Sequence, residues 1–412
     1  MKINTNLLLF QLVIIFIFFD GIRSNLIFGN VLTLLREMLF LILFYRLFFK
    51  RKLKTFSFID RTVKVFVIYH IVLSIYSMLL PGRIEPSFII KPLNLIIAIY
   101  CFYYFSELTN KSYAYLFEFI IKIGCVFIII NTVFYFIPLP IFVENKLWWG
   151  RISIGYPTMD VVSLAYSLSI LLFYPYLTLN TYVRAIFLLI YILGILFNAS
   201  GTGTVLLSLI ILTSISFMKT IKFNAKPIMY TFVFLLISST SVVSYLYENY
   251  PKEFNNGIVL LENKIDILKG EEVESSTMET RKMQYENMVS KMSIMEKVFG
   301  RSLVNVSNDA TINRNGLYMI EDQYNLTKVC YGYIGFLLYA YMIIHFFFKA
   351  CQLKGERSIR LMLMLSAIIF AANSKTLITL VLFPNYAFIS LAMAYAAKYK
   401  FILRNNNIVK YV

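Results

Sequence analysis

Two kinds of side chain that could do chemistry outside apolar segments recur together in this sequence. Arg151 lies in one short polar stretch, and Arg281, Arg301, Arg314, Glu321 and Asp322 lie in a long one. A guanidinium binds phosphate oxygens through paired N–H donors, and a carboxylate can take a proton from a hydroxyl about to act as a nucleophile. Cations at a departing phosphate and an acid beside the incoming hydroxyl are the parts of a group-transfer site. A solvated surface charge is the ordinary role of any one of these residues, so they form a site only if the fold gathers them.

Other catalytic equipment is missing. The sequence has no GxxxxGKS or GxxxxGKT, no GxGxxG after a strand, no HExxH and no GxSxG, which leaves ATP hydrolysis, nicotinamide redox and serine-hydrolase chemistry without visible machinery. No cofactor is expected. His70 and His345 each sit inside an apolar run, where helix packing is the ordinary role. Cys101, Cys125, Cys330 and Cys351 lie in or at the edges of apolar runs with no CxxC and no histidine at metal spacing, so buried structural thiols, and no metal site, are expected.

The elements that must position such residues are set by composition. Of 412 residues, 59% are hydrophobic and only 15% charged, and mean hydropathy is +0.71, beyond the range of an ordinary soluble domain. The net charge of +17 comes from Lys and Arg in short segments between apolar runs, the distribution of cytoplasmic loops under the positive-inside rule. No basic amphipathic face and no aromatic-basic interleaving of the RNA-binding kind is present. Membrane lipids are therefore an expected partner and nucleic acid is not. Tyr100, Tyr103, Tyr104, Tyr174 and Tyr176 stand near the ends of apolar runs, where an amphipathic ring suits headgroup depth.

A spanning helix needs about 20 mostly apolar residues. Runs of that kind centre on residues 7–19, 30–49, 63–81, 88–106, 114–137, 159–177, 182–198, 203–218 and 228–246, and then on 329–348, 358–373 and 376–397. The expected fold class is an all-α polytopic membrane protein with about twelve transmembrane helices. Residues 1–246 and 329–412 form the bundle, and residues 247–328 form one large extracytoplasmic loop containing amphipathic helices. The first run has no A-x-A-like cleavage site after it and reads as a helix rather than a signal peptide.

Orientation follows from the cations. Lys50, Arg51, Lys52, Lys54, Arg61 and Lys64 follow the second run, and every second loop from there repeats the bias. Those loops and both termini are expected in the cytoplasm, with the 247–328 stretch outside. Within that stretch Ser276-x-x-Glu279 reads as a capping box, and Met288, Val289, Met292 and Met295 recur at helical spacing until Gly300, which predicts a helix over 277–298. Arg36 and Glu37 sit about one turn into the second run; a pair anchoring the bundle and a substrate contact are both open readings.

Several stretches, in order, resemble the O-antigen and capsular polysaccharide polymerases of the Wzy type, relatives of the O-antigen ligases. Gly150-Arg151-Ile152-Ser153-Ile154-Gly155-Tyr156-Pro157 is similar to their outer Arg-Gly-Pro segment. Ser200-Gly201-Thr202-Gly203 resembles their Ser-x-Ser/Thr-Arg-Ser/Thr-Gly turn, although no Arg occupies it here. Arg281 to Tyr285 followed by Val298-Phe299-Gly300 resembles the loop helix that bears an Arg and ends in a Phe-Gly turn. Glu321-Asp322-Gln323-Tyr324 ahead of Gly332 and Gly335 resembles the end of the large loop, with Glu-Asp where ligases generally show His-Asn.

The resemblance implies a glycosyltransferase of the multi-helix, lipid-phosphosugar type in the bacterial cytoplasmic (inner) membrane. Its substrates would be undecaprenyl-diphosphate-linked oligosaccharide repeats of lipopolysaccharide O-antigen or capsule, and a chain-length regulator protein would be a candidate partner. Asp322 or Glu321 would be the catalytic base, and Arg151, Arg281, Arg301, Arg314, Tyr324 and Arg36 would bind substrate. An O-antigen ligase and a lipid-oligosaccharide flippase or other secondary transporter are the rival expectations.

Overall fold

The computed structural model describes residues 5–23, 26, 28–29, 31–32, 34–35, 38–39, 41–42, 45, 65–66, 68–69, 71–73, 75–76, 110–136, 157–198, 201–218, 247–248, 251, 255, 259, 283, 285–300, 323–372, 388–389, 391–396 and 398–399. Among the described residues the chain is mostly helical and has no strand. It divides into two units: Met1–Leu41, Thr109–Val273 and Arg357–Leu365 in one, and Ile42–Leu108, Glu274–Glu356 and Ser366–Val412 in the other.

The first unit contains α1 (Thr5–Arg23), α2 (Asn110–Phe136), α3 (Pro157–Phe173), α4 (Thr181–Phe197) and α5 (Gly201–Met218). Each coincides with an expected apolar run, and local chemistry sets its ends. Pro157 opens α3, where a missing N–H costs nothing. Asn180 caps α4, its side chain accepting from the Tyr182 amide at 3.2 Å, one of the donors that a helix start leaves unpaired.

Residues 161–170 of α3 are all buried, so this helix is the axis around which the others pack. Its hydroxyls are satisfied within the helix, Ser167 donating to the Ser163 carbonyl at 2.8 Å and Ser169 to that of Tyr166 at 2.7 Å. Small residues let the neighbours approach. Gly124 of α2 leaves room for the Tyr191 phenol of α4, which donates to the Ile121 carbonyl at 2.8 Å. A Cβ at Gly203 of α5 would already stand 3.0 Å from Val161 of α3, the close approach that small residues permit between apolar helices.

The second unit contains α6 (Ile294–Phe299) and α7 (Gln323–Cys351). The α8 helix (Arg357–Ala372) has its first residues in the first unit and its last in the second. Among the described residues two helical stretches are long and apolar enough to cross a membrane, Ser112–Phe134 in α2 with 23 residues and Thr327–Cys351 in α7 with 25. Leu7–Phe16, Val161–Phe173, Thr181–Phe197 and Gly203–Ser216 are shorter apolar helices. The described residues of the expected runs 30–49, 63–81 and 376–397 are also largely helical. The runs 88–106 and 228–246 lie outside the described residues.

The helix expected over 277–298 is interrupted. Residues 285–290 are helical, the helix breaks at 291–293, and α6 begins anew at Ile294. Ser293 is the reason: its hydroxyl accepts from the Glu296 amide at 3.2 Å while the Glu296 carboxylate accepts from the Ser293 amide at 2.7 Å, a complete capping box. The break turns the methionine face. Met288 and Met292 are buried, but Met295, expected beside them, is 66% exposed. Ser276 and Glu279, expected to cap the helix, lie outside the described residues. Gly300 does end the helical run, at φ 91°.

Candidate functional site

In the second unit the Phe299-Gly300 turn lies directly on a kink in α7. Gly332 holds φ 65° and ψ −177° in the middle of that helix, a region essentially restricted to glycine. Gly300, at φ 91° and ψ 162°, is in the same region. A Cβ on Gly332 would overlap the Val298 carbonyl, and a Cβ on Gly300 would overlap the Cys330 carbonyl. The two glycines are what allow backbone to meet backbone here, joining residues 298–300 to residues 330–332.

Tyr69 pins this junction. Its hydroxyl lies 2.8 Å from the Phe299 carbonyl and 2.8 Å from that of Tyr331, so one proton serves two acceptors. The Gly335 amide in turn donates to the Tyr69 oxygen. A kink leaves carbonyls before it and amides after it without their helical partners, and one phenol from a distant segment satisfies groups on both sides. Phe66, one turn earlier, packs its ring 5.9 Å from those of Tyr331 and Tyr339.

Next to the junction is a cluster of rings around a cation. Lys328 Nζ lies 5.7 Å from the Tyr285 ring centroid and 5.1 Å from that of Phe336, within cation–π range. Tyr324, one turn before Lys328, meets Phe336 edge-on at 6.2 Å. Burial, and after it the neighbouring Tyr333 phenol, pushes the Tyr285 phenol above its ordinary value, so both rings that face the ammonium are uncharged at neutral pH. Lys328, Tyr285, Tyr324 and Phe336 are all partly exposed.

Of the residues expected from sequence, Tyr324 is placed here, in the first turn of α7. Its hydroxyl donates to the Ala371 carbonyl at the end of α8, so the phenol proton is used in packing and the ring remains to contact a ligand. Arg36, Arg151, Arg281, Arg301, Arg314, Glu321 and Asp322 lie outside the described residues. Sequence reasoning missed Lys328 and Phe336. Tyr324 and Lys328 are one helical turn apart, but Phe336 lies beyond the Gly332 kink, so no single helical period joins all three. It also missed Tyr69, for which no local signal exists.

The first unit holds a separate polar cluster. Glu118 of α2, 8% exposed, accepts from both the amide and the hydroxyl of Thr178 in the α3–α4 turn. Lys122 Nζ is 3.7 Å from its other oxygen. Arg184 donates to the Leu177 carbonyl at 2.7 Å in the same turn. This carboxylate ties a loop to a helix, a bundle-holding arrangement. Cys125 and Cys330 are buried cysteines outside any disulfide, and Cys351 is a partly exposed one.

No protein-family model matches the chain, and no curated protein matches it.

Proposed function

We propose that this chain is a polytopic membrane glycosyltransferase that polymerises undecaprenyl-diphosphate-linked oligosaccharide repeats on the outer face of a bacterial cytoplasmic membrane. The observation that carries the reading is the junction of the Phe299-Gly300 turn with the α7 kink at Gly332. In the sequence, Arg281 stands shortly before one partner of that junction and Glu321 and Asp322 shortly before the other. The junction brings together the described segments 285–300 and 323–332, which follow those residues in the sequence.

The membrane setting is supported by where apolar side chains are left uncovered. Tyr333, Leu337, Tyr341, Ile344 and Phe348 form one exposed stripe along α7, with Leu337 at 64%. Val65, Ile68, Val72 and Ile75 form another, with Ile68 at 60%. Apolar stripes running the length of a helix are costly in water and neutral in hydrocarbon. About twelve spans with both termini inside remain the topology that the cation distribution favours.

In this reading a hydroxyl of one lipid-linked repeat attacks the anomeric carbon of another. The bond to the lipid diphosphate breaks, and the diphosphate leaves with the bonding electrons. Arg151 and Arg281 hold the departing diphosphate, while Asp322 or Glu321 takes the hydroxyl proton. Arg301, Arg314 and Arg36 are further substrate contacts. Cleavage of the lipid-diphosphate bond supplies the driving force, so no nucleotide or other cofactor is required.

The test is the polysaccharide ladder of a deletion strain, with and without the gene restored. Loss of all bands beyond a single repeat on the lipid core supports a polymerase. Complete loss of substituted core points to a ligase, and an unchanged ladder would remove the reading.

A further inference from the structure

We propose that Lys328 is a phosphate-binding residue, its ammonium set by the rings of Tyr285 and Phe336 to take a phosphate oxygen of an isoprenoid diphosphate. The inference rests on the lipid-diphosphate reading above and adds to it a cation that the arginine-based expectation did not include.

Three properties of the cluster carry it. A ring face compensates charge but offers no lone pair, so the three N–H donors of the ammonium stay available to anionic oxygens. The centroid distances of 5.7 and 5.1 Å lie in the outer part of the cation–π range, so neither ring occupies the ammonium fully. The side chain is also partly buried, where reduced solvent screening strengthens attraction for an anion. Among the described residues Lys328 pairs with no carboxylate, whereas Lys122 pairs with Glu118.

The position fits the ligand. Lys328 stands at the start of the apolar stretch Thr327–Cys351, where a diphosphate headgroup would sit if its isoprenoid tail ran down the exposed apolar stripe of α7. The flanking rings of Tyr285 and Phe336 come from the two segments that meet at the Gly300–Gly332 junction. Docking of those segments therefore decides whether the ammonium is presented.

The experiment uses the full chain in nanodiscs of neutral phospholipid. Each lysine's rate of acetylation is followed by mass spectrometry, with farnesyl diphosphate and inorganic pyrophosphate as probes. Farnesyl diphosphate is expected to slow acetylation of Lys328 and leave Lys264 unchanged. Lys328→Gln is expected to weaken farnesyl diphosphate binding about tenfold or more, the weight of one charge-assisted hydrogen bond, while Lys328→Arg retains most of it.

Unchanged acetylation of Lys328 at saturating probe would overturn the proposal. So would equal protection on exchanging neutral for anionic phospholipid without probe, because the ammonium would then belong to bilayer headgroups. Should Lys328→Gln fail to fold, the wild-type footprint decides alone. Protection of Lys328 together with an unchanged polysaccharide ladder in the deletion strain would keep the phosphate site and remove the polymerase. A lost ladder with Lys328 unprotected would do the reverse.

Discussion

The hydroxyl of Tyr69 lies 2.8 Å from the carbonyl oxygen of Phe299, closing a separation of 230 residues. The Tyr69 phenol oxygen accepts from the Gly335 amide, so Tyr69→Phe removes a donor and an acceptor while keeping the ring. The expected loss is about 1–3 kcal/mol. It should appear as a lower thermal midpoint in detergent and faster proteolysis within residues 285–300. An unchanged midpoint and cleavage pattern would show that the phenol is not what holds the turn.

Gly332→Ala should be far more damaging than Gly194→Ala. At Gly332 the new Cβ meets the Val298 carbonyl and the φ of 65° is unsuited to alanine, with backbone strain alone worth about 1–3 kcal/mol. At Gly194 the obstacle is the Ile128 side chain at 2.8 Å, which can change rotamer. The yield of monodisperse protein after membrane extraction should fall in that order, and equal yields would contradict it.

Glu118 should rank by what replaces it. Glu118→Ala leaves the Thr178 amide without its acceptor, a loss of about 1–3 kcal/mol for a buried donor. Glu118→Gln keeps an acceptor oxygen and gives up only the charge near Lys122 and Arg184. Thermal unfolding in detergent should therefore place alanine below glutamine and glutamine below wild type. A glutamine variant less stable than the alanine one would mean that the charge outweighs the hydrogen bonds.

On the proposed polymerase reading, Arg281→Lys and Arg151→Lys should each impair polymerisation, because an ammonium cannot reproduce a bidentate fork on a diphosphate. Loss of one such donor where charge develops costs about 3 kcal/mol, or roughly a hundredfold in rate. Lys264→Gln, in the same long polar stretch but outside the stretches that resemble the family, serves as the control and should leave the rate essentially unchanged. Asp322→Asn should abolish activity if Asp322 is the base, with Glu321→Gln doing less, and a reversed order would exchange the two roles. Normal chain length in both acid variants, at wild-type protein levels, would remove the loop acids from the mechanism.

Topology is tested separately from chemistry. Reporter fusions after Lys52 and after Gly270 should report opposite compartments, because the cation bias alternates along the chain. The same compartment for both would overturn the arrangement of spans and with it the outer site.

The extent of the described helices was legible in the sequence because it depends on local rules. An apolar run of sufficient length forms a helix that buries its own backbone polar groups, and Pro157, Asn180 and Gly300 mark ends through chemistry confined to neighbouring residues. The arginines and acids of the polar stretches are proposed from residue type and resemblance alone, and they lie outside the described residues. The break at 291–293 was hidden because two local signals competed there. Methionine periodicity favoured one helix, and the Ser293–Glu296 capping box began another. The tertiary structure alone decided the rest. Gly332 is a kink because the backbone of residues 298–300 passes against it, Tyr69 matters because that kink leaves groups to satisfy, and Lys328 joins Tyr285 because the turn docks there. Each of these depends on contact between segments far apart in the chain, and such contacts leave no periodic trace in either segment alone.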